Sequence, residues 1–154
     1  MAAGNKNMAK LKPGEDFIGV GGGVLIFNKK GEVLLKKRGS ESRNEIGKWE
    51  KPGGAIRYGE TSVTAMKREI KEEVDINIDI WGLLPHTDHI IKKEKQHWLA
   101  LNYLADLKFG VVKNMEPRKA EEIGWFNLKK LPKNIAVPTR ESIKNYLAGK
   151  YIKL

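Results

Sequence analysis

The chain has 154 residues, of which 40% are hydrophobic and 31% charged, with a formal net charge of +10. This is the size and balance of one soluble globular domain with a proper core. No apolar run approaches the ~18 residues of a membrane span, and the absence of cysteine excludes disulfides and thiolate catalysis and fits a reducing, cytoplasmic compartment. The excess of lysine favours polyanionic partners. Nucleotides and pyrophosphates qualify as well as nucleic acid. The lysines are spread along the chain, and no zinc-ligand set, helix-turn-helix or aromatic RNA-binding signature accompanies them.

The elements follow in chain order. Residues 1–16 are polar and lysine-rich, without the apolar stretch of a secretory signal, and read as a disordered tail ahead of a single domain over 17–154. Phe17 to Asn28 reads as a strand. Its Gly21-Gly22-Gly23 run suggests the close approach of another backbone or a ligand. A turn at Asn28 to Gly31 returns the chain through Glu32 to Arg38 as a hairpin, and Lys37 and Arg38 at its end are candidates to meet a phosphate. Gly39 to Lys48 is a polar loop. Trp49 to Lys51 is a short extended piece entering a Pro52-Gly53-Gly54 turn.

Ser62 to Val74 lacks Gly and Pro, with Thr61 or Ser62 able to cap it, and reads as a helix. Val63, Met66, Ile70 and Val74 form its apolar stripe. At about 100° per residue, Glu69, Glu72 and Glu73 share an arc beside that stripe. The carboxylates therefore sit at the margin of the buried face, where a cleft would be, and Ala65 leaves room above them. Three carboxylates so placed repel one another unless a positive group intervenes. A hard divalent cation such as Mg²⁺ takes oxygen ligands and keeps waters for substrate phosphates. Beyond the helix, Ile76 to Leu84 alternates as a strand, Pro85 to Gln96 is polar, and His97 to Leu107 is a longer strand. Glu116 to Glu122 is a charged loop, Ile123 to Asn127 a last strand, and Leu128 to Leu131 a helical turn. Thr139 to Ala148 is an amphipathic helix with Ile143, Tyr146 and Leu147 inward, stopped by Gly149. The order of strands, helix, strands, helix predicts an α/β (α+β) sandwich with a mixed sheet between helices.

Gly54, Glu60, Arg68, Glu69, Ile70, Glu72, Glu73 and Ile76 stand at the spacing Gly-x5-Glu-x7-Arg-Glu-U-x-Glu-Glu-x-Gly-U, with U aliphatic. This string resembles the Nudix box, which runs as strand, loop and helix. From average residue frequencies its six Gly, Arg and Glu positions coincide on the order of once per ten million starts. Asp75 stands where the family has Gly. A residue just past a helix often adopts the left-handed conformation, which Asp tolerates. The entry Trp49-x-x-Pro52-Gly53-Gly54 and the exit Glu121-Glu122-x-x-Trp125-Phe126 look like further family features.

The resemblance implies Mg²⁺-dependent hydrolysis of a nucleoside diphosphate linked to a group X, with Mn²⁺ as a possible substitute. It implies metal ligation by Glu69, Glu73 and the Gly53 carbonyl, with Glu72 beside them and Glu60 behind or at a further ion. Arg68 would orient the glutamates, and Glu69 is the preferred general base, with Glu72 also in the catalytic set. Glu116, Glu121 and Glu122 are downstream carboxylates for the same role. Arg38, Trp98 and Glu116 are candidates to meet the substrate. The Glu116-Pro117-x-Lys119 stretch resembles the MutT-like branch that cleaves nucleoside triphosphates to monophosphate and pyrophosphate. Nucleotide sugars or ADP-ribose, an RNA 5′ end, and a non-catalytic nucleotide-binding module are the alternatives. Nudix enzymes of this size are often homodimers.

Overall fold

The computed structural model describes residues 10–154. One mixed sheet carries the fold. Its strands are β1 (Gly19–Phe27), β2 (Val33–Arg38), β3 (Trp49–Glu50), β4 (Gly53–Ala55), β5 (Asn77–Ile91), β6 (Gln96–Phe109), β7 (Ala120–Phe126) and β8 (Ile152–Lys153). The main path runs β3-β2-β1-β6-β5-β8, with β4 paired to β1 and β7 to β2. β1 and β6 are parallel, whereas β5 and β6 form a long antiparallel hairpin. Two helices, α1 (Ser62–Val74) and α2 (Val137–Leu147), cover the two faces.

Alternation along β1 and β2 divides the core between those helices. Val24, Ile26 and Leu34 pack with Met66, Ile70 and Val74 of α1. Leu25, Phe27, Val33 and Leu35 pack instead with Ile143 of α2. The expected sandwich is therefore the observed one.

α1 has the bounds its sequence predicts. The Thr61 side chain accepts from the Thr64 amide, and Asp75 closes the helix at φ 56°, ψ 39°, in the left-handed region. The Asp75 amide donates to the Lys71 carbonyl, and its carboxylate lies 2.8 Å from Lys71 Nζ. Asp75 thus supplies the turn that glycine makes elsewhere.

Several expectations are corrected. Pro85 to Ile91 belongs to β5, not to a loop. The proline is tolerated because the ladder shifts register between Leu84 and Thr87, and such irregularities release a residue from pairing. β7 begins at Ala120, so Glu121 and Glu122 are strand residues, Glu122 paired with Lys37 and Glu121 at the register shift before the Arg38–Ala120 pair. Opposite charges across the strands replace the apolar alternation that would have marked this segment. Leu128 to Lys130 form a turn without a helix. α2 starts two residues early, on Val137 and Pro138, since Pro suits a helix's first turn. Leu147, expected inward, is exposed at the last position of α2.

The expected tail, residues 1–16, divides. Residues 1–9 lie outside the described part. Lys12 to Asp16 form a turn in which the Lys12 amide donates to Asp16 Oδ2 at 2.7 Å. The Gly14 carbonyl accepts from the His97 amide at 2.8 Å, which ties this turn to β6.

Candidate active site

The three glycines of β1 form the floor of the site. Gly21, Gly22 and Gly23 pair with Ala55, Gly54 and Gly53 of β4. A Cβ on Gly53 would fall 2.1 Å from the Gly22 carbonyl oxygen. The close backbone approach expected at this run is the β1–β4 contact. A Cβ on Gly54 would fall 2.4 Å from Glu69 Cδ, so the Glu69 carboxyl rests directly on the β4 backbone.

Arg68 is the hub of the box. Its Nε donates to Glu60 Oε1, Nη2 to Glu60 Oε2 at 2.9 Å and to the Ala55 carbonyl at 3.1 Å, and Nη1 to Glu69 Oε1 at 2.8 Å and Glu72 Oε2 at 3.3 Å. One planar fork thus ties the loop, β4 and three glutamates of the box together. The hydrogen bonds from Arg68, joined by the Arg57 amide, hold the Glu60 carboxyl down at about 2. The same bond to Glu60 raises the Arg68 pKa above its already high value.

Glu73 lies deeper. It is 6% exposed, and Lys36 Nζ lies 2.8 Å from its Oε2. The two form a buried ion pair. Burial pushes the Glu73 carboxyl up to about 7, against the pull of Lys36. For Lys36, burial opposes the charge, but Glu73 and Glu50 outweigh it and raise the pKa. Arg38, two residues along the same strand, puts Nη1 2.7 and 2.8 Å from the two Glu50 oxygens and donates from Nε to the Asn44 carbonyl. Among the described residues its Nη2 has no hydrogen-bond partner.

These groups line one open cleft of about 860 Å³, together with Gly21 to Gly23, Gly53, Gly54, Glu69 and Glu72. Trp98 and Glu116 line it as well. Trp98 is already packed, since Cβ atoms on Gly14 and Gly19 would meet its ring at 2.2 and 2.4 Å. The Arg43 guanidinium lies 5.2 Å from its ring centroid, and its Nε1 donates to Gln96 Oε1. Glu121 and Glu122 face Lys37 at 3.6 and 4.0 Å and do not line the cleft.

Lys36, Glu45, Glu50 and Lys51 are cleft residues the sequence reading did not single out. Period two along β2 puts Lys36 on the face of Arg38, and that signal was available. Glu45 had no such signal. Its backbone is left-handed at φ 47°, and its carboxylate meets Lys48 Nζ at 2.8 Å and His89 Nε2 at 3.3 Å.

All the candidate cation donors are oxygens, and the buried Glu73 Oε2 faces the Lys36 ammonium. That chemistry suits a hard divalent ion. Among the described residues, however, no three acidic or histidine side chains form a ready-made cation cluster. Arg68 and Lys36 supply positive charge beside these carboxylates.

The family model described as the NUDIX domain matches residues 18–146. The chain belongs to the Nudix family. The MutT Nudix hydrolase of Burkholderia pseudomallei has a similar structure, with a TM-score of 0.76 and 36% identity, over 82% of this chain and 96% of that one. An uncharacterised Nudix hydrolase of Listeria monocytogenes is 39% identical over 47% of this chain, and the match spans 43% of that protein's length. The ADP-ribose pyrophosphatase of Methanocaldococcus jannaschii is 30% identical over 81% of this chain and 71% of that protein. Among the described residues, no helix is long and apolar enough to cross a membrane.

Proposed function

We propose that this Nudix chain hydrolyses a pyrophosphate bond in a small nucleotide, and that its substrates are nucleoside triphosphates, cleaved to monophosphate and pyrophosphate. The observation that carries this reading is the Arg68 fork, which ties Glu60 to Glu69 and Glu72, and the latter two line the cleft with the buried Glu73. Nudix hydrolases generally use a divalent metal ion, and Mg²⁺ is the ion we propose, with Mn²⁺ as a substitute. Glu69, Glu73 and the Gly53 carbonyl would hold it, with Glu72 beside them and Glu60 behind. When bound, such an ion neutralises phosphate charge and lowers the pKa of a water.

The chain's own groups do the rest. Arg68 fixes the direction of the Glu69 and Glu72 carboxylates, and Glu69 takes the proton of the attacking water. Lys36 balances Glu73 until a cation does so. Pyrophosphate cleavage asks for little beyond such positioning and charge. The name of the Methanocaldococcus relative favours a second reading, cleavage of ADP-ribose or a nucleotide sugar.

A substrate screen with Mg²⁺ or Mn²⁺ that resolves products separates the two. Pyrophosphate release supports the first reading and a sugar phosphate the second. Glu73→Gln should lower activity about 100-fold or more, because it removes a charged cation ligand. Wild-type turnover in Glu72→Gln/Glu73→Gln would refute the metal site, and turnover of nothing by the wild type would leave a nucleotide-binding module.

A further inference from the structure

The cleft holds a second kind of basic group, Lys51. Lys51 stands between β3 and the Pro52 turn. Its amide donates to Thr139 Oγ1 of α2 at 2.9 Å, and the next carbonyl, that of Pro52, accepts from the Val24 amide at 2.9 Å. The backbone is thus held by α2 on one hand and by β1 on the other. The side chain runs along β1, since a Cβ on Gly23 would fall 2.7 Å from Lys51 Cε and 3.0 Å from Cγ. Gly23 therefore leaves room for the lysine stem.

Lys51 is 6% exposed and lines the cleft. Lys36 is buried to the same degree and has Glu73 against it. Lys51 has no carboxylate within salt-bridge distance among the described residues; the acidic groups whose charge reaches it are Glu50 and Glu141, and none belongs to the box. An ammonium removed from water without a partner is costly, and buried charges are ordinarily paired. The same end of the cleft is lined by Ala136, Pro138 and Thr139, at the start of α2. That helix has no side-chain cap, and its first turn adds positive potential. Two independent features therefore favour an oxygen acceptor at one place.

We infer that the Lys51 ammonium binds an oxygen of the substrate at the α2 end of the cleft, away from the box carboxylates, and thereby selects among substrates. The inference rests on reading the cleft as a nucleotide site. The acceptor is a phosphate oxygen or a nucleobase carbonyl. Both offer the same lone-pair chemistry to an ammonium, and substrates distinguish them.

The test is calorimetric binding of GTP, UTP, ATP and inorganic tripolyphosphate in EDTA, for the wild type and Lys51→Met, which keeps the stem and removes the donor. Loss of a charge-assisted hydrogen bond should weaken binding about tenfold or more. A loss that extends to tripolyphosphate identifies a phosphate oxygen. A loss confined to GTP and UTP, sparing ATP, identifies a base carbonyl. Unchanged affinity for all four probes in folded Lys51→Met overturns the inference, as does failure of the wild type to bind any of them. Should Lys51→Met not fold, the ¹⁵Nζ resonance of Lys51 in the wild type gives the answer. A shift on adding GTP or tripolyphosphate supports the contact, and no shift with either overturns it. Hydrolysis by the wild type is assayed separately with Mg²⁺. Lysine-dependent binding without turnover defeats the proposed activity alone, and turnover with KM unaffected by Lys51→Met defeats the Lys51 contact alone.

Discussion

Asp75 replaces a glycine of the Nudix box, and its backbone accounts for the exchange. An L side chain in the left-handed region crowds the following carbonyl, and Asp tolerates this better than most residues. The contact of the Asp75 carboxylate with Lys71 Nζ at 2.8 Å offsets part of that strain, and the Lys71 hydrogen bond lowers the Asp75 pKa. Exposed i,i+4 pairs contribute little, so backbone relief should exceed the lost pair. Asp75→Gly is expected to raise Tm by about 1–2 °C and leave kcat unchanged. A lower Tm on thermal unfolding would mean that the Lys71 contact outweighs the strain. The box carboxylates have cationic partners as well. Arg68 serves Glu60, Glu69 and Glu72, while Lys36 serves Glu73.

At the scale of elements, the β1–β4 contact and the loop over residues 39–48 set the walls of the cleft. Gly53 and Gly54 are adjacent, yet a methyl group on each meets something different. On Gly53 it strikes the backbone of β1, and on Gly54 it strikes the Glu69 carboxyl. Gly53→Ala should cost about 1–3 kcal/mol of stability, because strand pairing must yield. Gly54→Ala should lower kcat far more than Tm, because a side chain can turn aside and Glu69 is the group that turns. Equal effects of the two variants on Tm would argue against this division. The loop is held through Glu45, for which burial alone would raise the carboxyl pKa. Hydrogen bonds from His89 and Lys48 outweigh burial and bring it down to about 2. A depressed carboxylate pKa contributes stability that is present above the unfolded value, near 4.5, and lost as pH falls through the folded one. Glu45→Gln should therefore destabilise by about 2 kcal/mol at neutral pH. The difference in Tm from wild type should shrink between pH 4.5 and pH 2, and a difference constant across that window would place the effect elsewhere. α1, β1, β2 and the box glutamates were legible because each depends on short-range periodicity or spacing. Glu45, Lys51 and the strand character of Glu121 and Glu122 were not. Their surroundings come from residues far along the chain, such as His89, Thr139 and Lys37, and no local pattern encodes such pairings.

Over the whole molecule, charge is divided between surface and site. The chain has 29 Lys and Arg against 19 Asp and Glu, yet Glu50, Glu69, Glu72 and Glu73 are gathered in the cleft. A polyanionic substrate is thus attracted from a distance by the net charge of +10 and meets repulsion at the floor unless cations intervene. Arg68 and Lys36 provide this locally, and Lys36, Arg38, Lys51 and Lys119 line the approach. Long-range attraction acts on encounter and is screened over about 10 Å at 0.1 M salt, whereas contacts inside the cleft are screened much less. At saturating divalent cation, raising ionic strength from about 0.05 to 0.5 M should therefore lower kcat/KM severalfold and leave kcat nearly constant. The slope should be steeper for a nucleoside triphosphate than for ADP-ribose, which carries less charge. Steady-state kinetics with both substrates across that range provides the measurement. A kcat that falls in parallel with kcat/KM would locate the salt sensitivity in the bound complex, at the carboxylate and arginine contacts, and would remove the case for steering by the basic surface.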